Sequence, residues 1–241
     1  MNFARVRARQ LQGVIWDMDG VLIDSHALHR KAWRAFFQTL GRDIADSELD
    51  FILDGRKRGD ILRHFLGDYP EAEIEEFGRR KDCIFHHMQT EAKPIPGVLR
   101  IVRELCDRSI VLALATSASR SRAQATLARL GVQACFQAIV TGDDVSAGKP
   151  AAAVYQLACS RMKIAPQHML ALEDAVAGIH AAVAAGLRCV GVATHETAEK
   201  LVAAGAVRVL PDFATVSVDD LESILPQLDS ANFRTATGPE S

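Results

Sequence analysis

Apolar positions change their period twice along this chain. Residues 13–16 form a short continuous apolar run that stops abruptly at Asp17-Met18-Asp19-Gly20. From about residue 24 to 93 the spacing is helical and strand-poor. Leu28, Ala32, Trp33, Phe36, Phe37 and Leu40 mark one helical face that closes at Gly41. Ile52, Ile61, Leu62, Phe65 and Leu66 continue the theme, and residues 71–88 form a third amphipathic stretch. Pro94, Pro96 and Gly97 then punctuate the chain. Beyond them short apolar runs alternate with helical patterns. Strands are predicted at 110–115, 136–140, 169–172, 189–192 and 207–210, and helices at 98–108, 120–130, 151–162, 175–185 and 218–228.

A continuous apolar run bounded by turn signals marks a strand buried on both faces. Strand and helix alternating at this interval predict a parallel, doubly wound sheet. The expected fold class is therefore α/β: a doubly wound, Rossmann-like parallel core over 1–23 and 95–228, with a small α-helical cap inserted at 24–94. The polar stretch 229–241 carries few apolar anchors and is expected to be a loose tail.

Bulk properties narrow the partners. The 241 residues are 49% apolar and 24% charged, enough for a sizeable buried core. A net charge of −2 gives no electrostatic case for nucleic acid or a membrane surface. Arg5, Arg7 and Arg9 precede no secretory apolar run, so no signal peptide or membrane span is expected. Five cysteines without C-x-x-C spacing suit a reducing compartment, and a cytoplasmic location is expected. Oligomeric state is not legible, and a monomer is compatible with the chain.

The chemistry collects after the strands, where ligands sit in such sheets. A strand puts residues i and i+2 on one face, so Asp17 and Asp19 converge where the first strand ends. Two close carboxylates repel unless a cation or proton intervenes, and a hard divalent cation such as Mg²⁺ suits their oxygens. The second predicted strand ends in Thr116-Ser117, a third leads into a loop carrying Lys149, and a fourth ends in Glu173-Asp174. Thr116 offers a hydroxyl to a phosphate oxygen, with Ser117 and nearby helix-start amides as further anion contacts. Lys149 offers a point charge. Asp174 completes an oxygen cage with Asp17 and the Asp19 carbonyl, and Glu173 is a ligand or a support behind it. Taken singly, each has an ordinary reading as a turn, a solvated lysine or a helix-start acidic pair; the coincidence at one edge outweighs those readings.

Asp17-Met18-Asp19-Gly20-Val21, Thr116-Ser117, Gly148-Lys149-Pro150 and Glu173-Asp174 together resemble the four signature motifs of the haloacid dehalogenase superfamily. The order and spacing cover the chain from Leu11 to about Leu228. The helical insertion is similar to the cap of the branch holding β-phosphoglucomutase and sugar-phosphate phosphatases. The resemblance implies Mg²⁺-dependent phosphoryl transfer: Asp17 the nucleophile, Asp19 the general acid and base, and Mg²⁺, Lys149 and Thr116 neutralising the transferring group. Asp19 also separates the chain from the dehalogenases, because a halide leaving group needs no proton donor.

Within that resemblance the acceptor decides the activity. Water gives a phosphatase acting on a small phosphorylated sugar, the leading expectation. A sugar hydroxyl gives a β-phosphoglucomutase-type isomerase. A catalytically silent regulatory protein on the same fold is the non-enzyme alternative. His29, Trp33, Gly55, Arg58 and Lys81 match positions of the mutase cap and are candidate substrate contacts. Their ordinary readings are a surface histidine, core filler and a solvated charge run. The stretch Lys149-Pro150-Ala151-Ala152-Ala153 departs from the mutase pattern K-P-x-P-D, and one extra residue near Ser119 and Arg120 leaves those two open as substrate contacts.

Overall fold

The computed structural model describes residues 11–225; the polar stretch 229–241 and the end of the predicted closing helix lie outside them. Along the chain come β1 (Gly13–Trp16) and β2 (Ile23–Asp24), four helices α1 (His26–Gln38), α2 (Asp46–Leu53), α3 (Arg58–Leu66) and α4 (Glu71–Met88), and then β3 (Lys93–Pro94). There follow α5 (Val98–Asp107), β4 (Val111–Ala115), α6 (Arg120–Leu130), β5 (Phe136–Val140), α7 (Ala153–Met162) and β6 (Met169–Glu173). The chain continues through α8 (Val176–Ala184), β7 (Arg188–Val192), α9 (Ala198–Ala203), β8 (Arg208–Leu210) and α10 (Val218–Glu222).

Six strands form one sheet in the order β5-β4-β1-β6-β7-β8, every pair parallel. Strand side chains alternate between its faces. Val14, Trp16, Leu112, Leu114, Leu170 and Leu172 enter one apolar cluster, which α5, α6 and α10 cover. Ile15, Ala113, Ala115, Met169 and Ala171 enter another, covered by α7, α8 and α9. Burial on both faces is why these strands read as unbroken apolar runs. The fold is the expected doubly wound α/β sheet.

The strand order reverses at β1. The chain passes from β1 to β4 and β5 on one side, then crosses to β6 on the other, so the switch point lies at the carboxyl end of β1. Trp16 pairs with both Leu114 and Leu172, which brings Asp17, Ala115 and Glu173 level at that edge.

Helices α1 to α4 hold an apolar cluster of their own, centred on Trp33, Phe36, Phe37, Leu49, Leu62 and Phe65. The chain leaves for them and returns through one neck, where β2 and β3 pair antiparallel, Ile23 opposite Pro94 and Asp24 opposite Lys93. The middle of the three helical stretches expected from periodicity is in fact two helices. Gly55, at φ +72°, breaks the backbone between α2 and α3 and turns the loop 54–57 toward the sheet edge. The short helix α9 and the ribbon strands β2 and β3 were not anticipated, because they are too short to carry a period. Among the described residues no helix is long and apolar enough to cross a membrane.

Candidate active site

The turn after β1 is built around Gly20. Its φ is +76°, and a Cβ there would lie 2.0 Å from Asp174 Oδ2. Only glycine lets the turn pass so close to the end of β6. Asp17 therefore meets Asp174 and Glu173, with one ligand atom from each within 4.8 Å of the others. All three are nearly inaccessible to solvent.

Lys149 reaches into this cluster from the loop after β5. Its ammonium donates to Asp17 Oδ1 at 2.6 Å and to Glu173 Oε1. Tyr155 on α7 donates its hydroxyl to the same Glu173 oxygen at 2.8 Å. Glu173 Oε2 accepts the amides of Asp174 and Ala175 at 3.1 and 3.2 Å. Both oxygens of Glu173 are thus occupied, so this residue fits the support role. Asp174 differs: its side chain pairs with His26, whose Nε2 lies 3.0 Å from Oδ2 and whose protonation Asp174 favours. Three buried carboxylates with oxygens this close form a group that a small hard cation suits.

Electrostatics separate the two aspartates of the turn. Burial pushes Asp17 well above the ordinary carboxylate range, Lys149 opposing it and Glu173 and Asp174 adding to it. Burial likewise lifts Asp174 to about 6, against the opposing contact with His26. Asp19 is also buried, yet the Arg122 charge and the hydrogen bonds around it hold it well below the usual range. Lys149 is held above its ordinary value, because Asp17 and Glu173 outweigh its desolvation.

The environment of Asp19 comes largely from outside its own turn. Ser25 donates to Oδ1 at 2.6 Å, and His29 Nε2 lies 3.1 Å from the same oxygen. Arg122 donates Nη1 to Oδ1 at 2.8 Å and Nη2 to Oδ2 at 2.6 Å. Lys81 Nζ lies 3.3 Å from His29 Nδ1 and faces the rings of Trp33 and Phe85, each at 5.1 Å. Burial and the Lys81 charge lower His29 to about 3. The ring is neutral, donating to Asp19 and accepting from Lys81.

The remaining expected residues are placed as follows. Thr116 is buried at the end of β4, its Oγ1 accepting the Ala118 amide at 3.1 Å. The Ser117 hydroxyl donates to the Gly55 carbonyl at 2.6 Å, bridging sheet edge and helices. Asp17, Asp19, His29, Trp33, Gly55, Arg58, Lys81, Thr116, Ser117 and Asp174 line one cavity between them. Trp33 serves the helical core and this cavity at once. Arg58 is paired with Asp82, and Ser119 donates to that same carboxylate at 3.0 Å. Arg120 is drawn off to Asp144 at 2.5 Å, so neither open candidate lines the cavity. Lys57 Nζ donates to the Val145 carbonyl at 2.8 Å, and the Ala177 amide donates to Asp54 Oδ1 at 3.1 Å; with the Ser117–Gly55 bond, loop 54–57 is tied to the sheet edge at three points.

Sequence reasoning missed Arg122, Ser25, His26 and Tyr155. Arg122 stands in the first turn of α6, which follows β4 directly. A helix beginning at a strand's carboxyl end can turn such a side chain back over the edge, and that signal was available.

A phosphorylated carbohydrates phosphatase of Thermotoga maritima is 31% identical over 211 residues, which are 83% of this chain and 94% of that protein. A β-phosphoglucomutase of Bacillus subtilis is 32% identical over 192 residues, 76% of this chain and 83% of its own length. The crystal structure of a CbbY mutant from Rhodobacter sphaeroides, in complex with xylulose-(1,5)bisphosphate, matches with a TM-score of 0.75 at 28% identity, covering 86% of this chain and 96% of that one. The profile of haloacid dehalogenase-like hydrolases matches residues 14–192. That match takes in every strand end that feeds the cavity, so the protein belongs to the haloacid dehalogenase-like hydrolase family and is an enzyme.

Proposed function

We propose that this enzyme is a Mg²⁺-dependent phosphatase that hydrolyses a small phosphorylated sugar through an aspartyl phosphate on Asp17. The observation that carries the reading is the ammonium of Lys149, 2.6 Å from Asp17, in a buried cluster where Asp17, Glu173 and Asp174 bring one oxygen each within 4.8 Å of one another. The nucleophile has a counter-charge beside it, and the gathered carboxylates suit a cation.

An Asp17 oxygen attacks phosphorus as the bond from phosphorus to the sugar oxygen breaks. Asp19, ionised in the free enzyme under the Arg122 charge, takes the proton of the bound phosphate monoanion and passes it to that departing oxygen. Water then attacks phosphorus and gives a proton to Asp19, and cleavage of the acyl phosphate bond frees phosphate and restores the Asp17 carboxylate. Mg²⁺, held by Asp17, Asp174 and the Asp19 carbonyl, would supply neutralisation of the phosphoryl oxygens. Lys149 adds a fixed positive charge beside the attacking oxygen, and Thr116 offers its hydroxyl proton to a phosphoryl oxygen. Residues 24–94 act as a lid whose loop 54–57 closes the site against bulk water. Its neck, at Ile23-Asp24 and Lys93-Pro94, is the hinge.

The names of the carbohydrate phosphatase and of the bisphosphate complex support a sugar-phosphate substrate. A second reading, sugar-phosphate isomerisation, is favoured by the chain Lys81–His29–Asp19, which sets two mutase-like lid residues on the acid–base group. One experiment separates them. Phosphate release is measured with Mg²⁺ on a panel of hexose, pentose and hexitol phosphates, while β-glucose 1-phosphate with a trace of the bisphosphate is followed for glucose 6-phosphate. Phosphate release abolished by Asp17→Asn supports the phosphatase. Glucose 6-phosphate forming faster than free phosphate supports the mutase. Equal, background release by wild type and variant on every substrate rejects both.

A further inference from the structure

The two oxygens of Asp19 are not equivalent. Oδ1 receives three donors, from Ser25, His29 and Arg122, whereas the only side chain donating to Oδ2 among the described residues is Arg122. A carboxylate oxygen offers two acceptor directions, so Oδ1 is filled and Oδ2 keeps one open. Arg122 alone touches both oxygens, and a planar guanidinium holding a carboxylate at two points fixes its plane as well as its place.

Arg122 is itself immobilised. Its side chain is 10% exposed. Its guanidinium lies 5.1 Å from the centre of the Phe85 ring on α4, and its backbone is held in the first turn of α6. It approaches Asp19 from outside the catalytic cavity. Asp19 lines that cavity, while Arg122 lines a neighbouring groove with Asp82, Phe85 and His86. Its Nη1 also lies 3.4 Å from His29 Nε2, so it meets the cavity through Asp19, which it grips at two points, and through the His29 ring beside it.

We propose that Arg122 is a positioning residue that sets the plane of the Asp19 carboxylate and presents Oδ2 to the oxygen of the departing sugar. This rests on the assignment of Asp19 as the acid–base group. It adds that the grip needs the two-point fork and not merely a positive charge. Because Phe85 belongs to the helical lid and α6 to the sheet domain, the guanidinium sits at the joint between them, and the aim of Asp19 is set by both.

The test compares two esters with Mg²⁺ present: the panel's fastest sugar phosphate, whose alkoxide must be protonated, and 4-nitrophenyl phosphate, whose phenolate leaves without a proton. kcat/KM isolates the first phosphoryl transfer. Arg122→Gln is expected to lower kcat/KM for the sugar phosphate about 100-fold, the low end of what general acid catalysis supplies. The loss on the aryl ester is expected to be at least about tenfold smaller. In an Asp19→Asn background the same substitution should cost less than about twofold, since residues acting as one unit are not additive. Arg122→Lys keeps the charge without the fork and should stay within about threefold of Arg122→Gln; it also replaces that variant in the series should the glutamine protein fail to fold. Equal losses on both esters, losses that multiply in the Asp19→Asn background, or Arg122→Lys at the wild-type rate each overturn the proposal. A wild type that hydrolyses no phosphate ester instead rejects the phosphatase reading beneath it.

Discussion

Asp54 caps a helix that does not belong to its own half of the molecule: its Oδ1 accepts the Ala177 amide at 3.1 Å, across 123 positions of sequence. The first turn of α8 has exposed amides to satisfy, and Ala175, at its N-cap, has no side chain that could accept one. The loop between α2 and α3 supplies that acceptor only when it lies against the sheet edge. Replacing an N-cap acceptor by alanine costs about 1 kcal/mol. Asp54→Ala is therefore expected to raise KM by about fivefold with kcat within about twofold, the signature of a weakened closed state. Asp54→Asn keeps an acceptor oxygen and should leave KM near wild type. Steady-state kinetics on the best sugar phosphate check both, and an unchanged KM for Asp54→Ala removes the loop from closure.

Lys81 makes the site sensitive to alkali. Burial lowers its ammonium to about 8; Asp82 and Asp19 work against that, while Arg122 and Arg58 add to it, and neutral His29 takes its hydrogen bond. Above pH 8 the folded lysine loses its proton while the unfolded one, with an ordinary value of 10.5, keeps it. The unfolded state then binds more protons, so stability rises with pH between about 8 and 10.5. Activity moves the opposite way: kcat/KM falls as pH passes about 8, because the charge behind His29 is lost. Lys81→Met should flatten both responses, and at pH 7 it should melt higher than wild type, since it removes a buried charge held among Trp33 and Phe85. Thermal melts and pH–rate profiles of the pair measure this; a parallel basic limb in Lys81→Met assigns the limb elsewhere.

Gly20 offers a way to disturb the proposed cation site without replacing a carboxylate. A Cβ there would fall 2.0 Å from Asp174 Oδ2, at a φ of +76° that alanine disfavours. Gly20→Ala is expected to push Asp174 away from Asp17, to lower kcat by about 100-fold or more, and to destabilise the fold by about 1–3 kcal/mol. In wild type Mg²⁺ should raise the melting temperature, because the proposed site exists in the folded state alone. In Gly20→Ala that rise should shrink or vanish. An undiminished Mg²⁺ shift in the variant locates the cation away from Asp174.

How far the sequence carried this picture depended on whether a residue's place is set by its own strand. Asp17, Thr116, Glu173 and Asp174 each follow a buried apolar run, and sheet register levels them at one edge. Their convergence was legible because strand period and parallel topology are local patterns with global consequences. Lys149 required only the loop after β5 to fold back. Arg122 was not legible in the same way. It lies inside an ordinary helical pattern, and its contact with Asp19 comes from the angle at which α6 leaves the edge and from Phe85 of α4 packing against its guanidinium. Arg58 was anticipated as a phosphate contact, yet its partner in the structure is Asp82 on the adjacent helix, a pairing that depends on how α3 crosses α4. Helix-to-helix angles are set by packing, which no single stretch of sequence records.

The strongest electrostatic dependence in the molecule should belong to Lys149. It is the only lysine or arginine paired with Asp17 or Glu173 among the described residues, and with Asp174 they form a buried acidic group. Asp17 already lies well above its ordinary value, through burial and its acidic neighbours, with Lys149 the main opposing influence. A buried acid whose folded value is raised destabilises the fold as pH climbs past its unfolded value, near 4, because the unfolded state gives up its proton first. Lys149→Met removes the opposing charge and enlarges that penalty. The variant should therefore lose stability at both pH 5 and pH 8, since the contact with Glu173 goes in either case, and lose more at pH 8, about 3 kcal/mol or more there, the cost of breaking a buried pair from one side. Mg²⁺ at pH 8 should recover more stability in Lys149→Met than in wild type, since the cation then meets an uncompensated acidic group. Activity should not return with it, because the charge beside the attacking Asp17 oxygen is still missing. Denaturant melts at the two pH values, with and without Mg²⁺, decide the matter: a loss of equal size at pH 5 and pH 8 marks Lys149 as a packing element, not the counter-charge of the nucleophile.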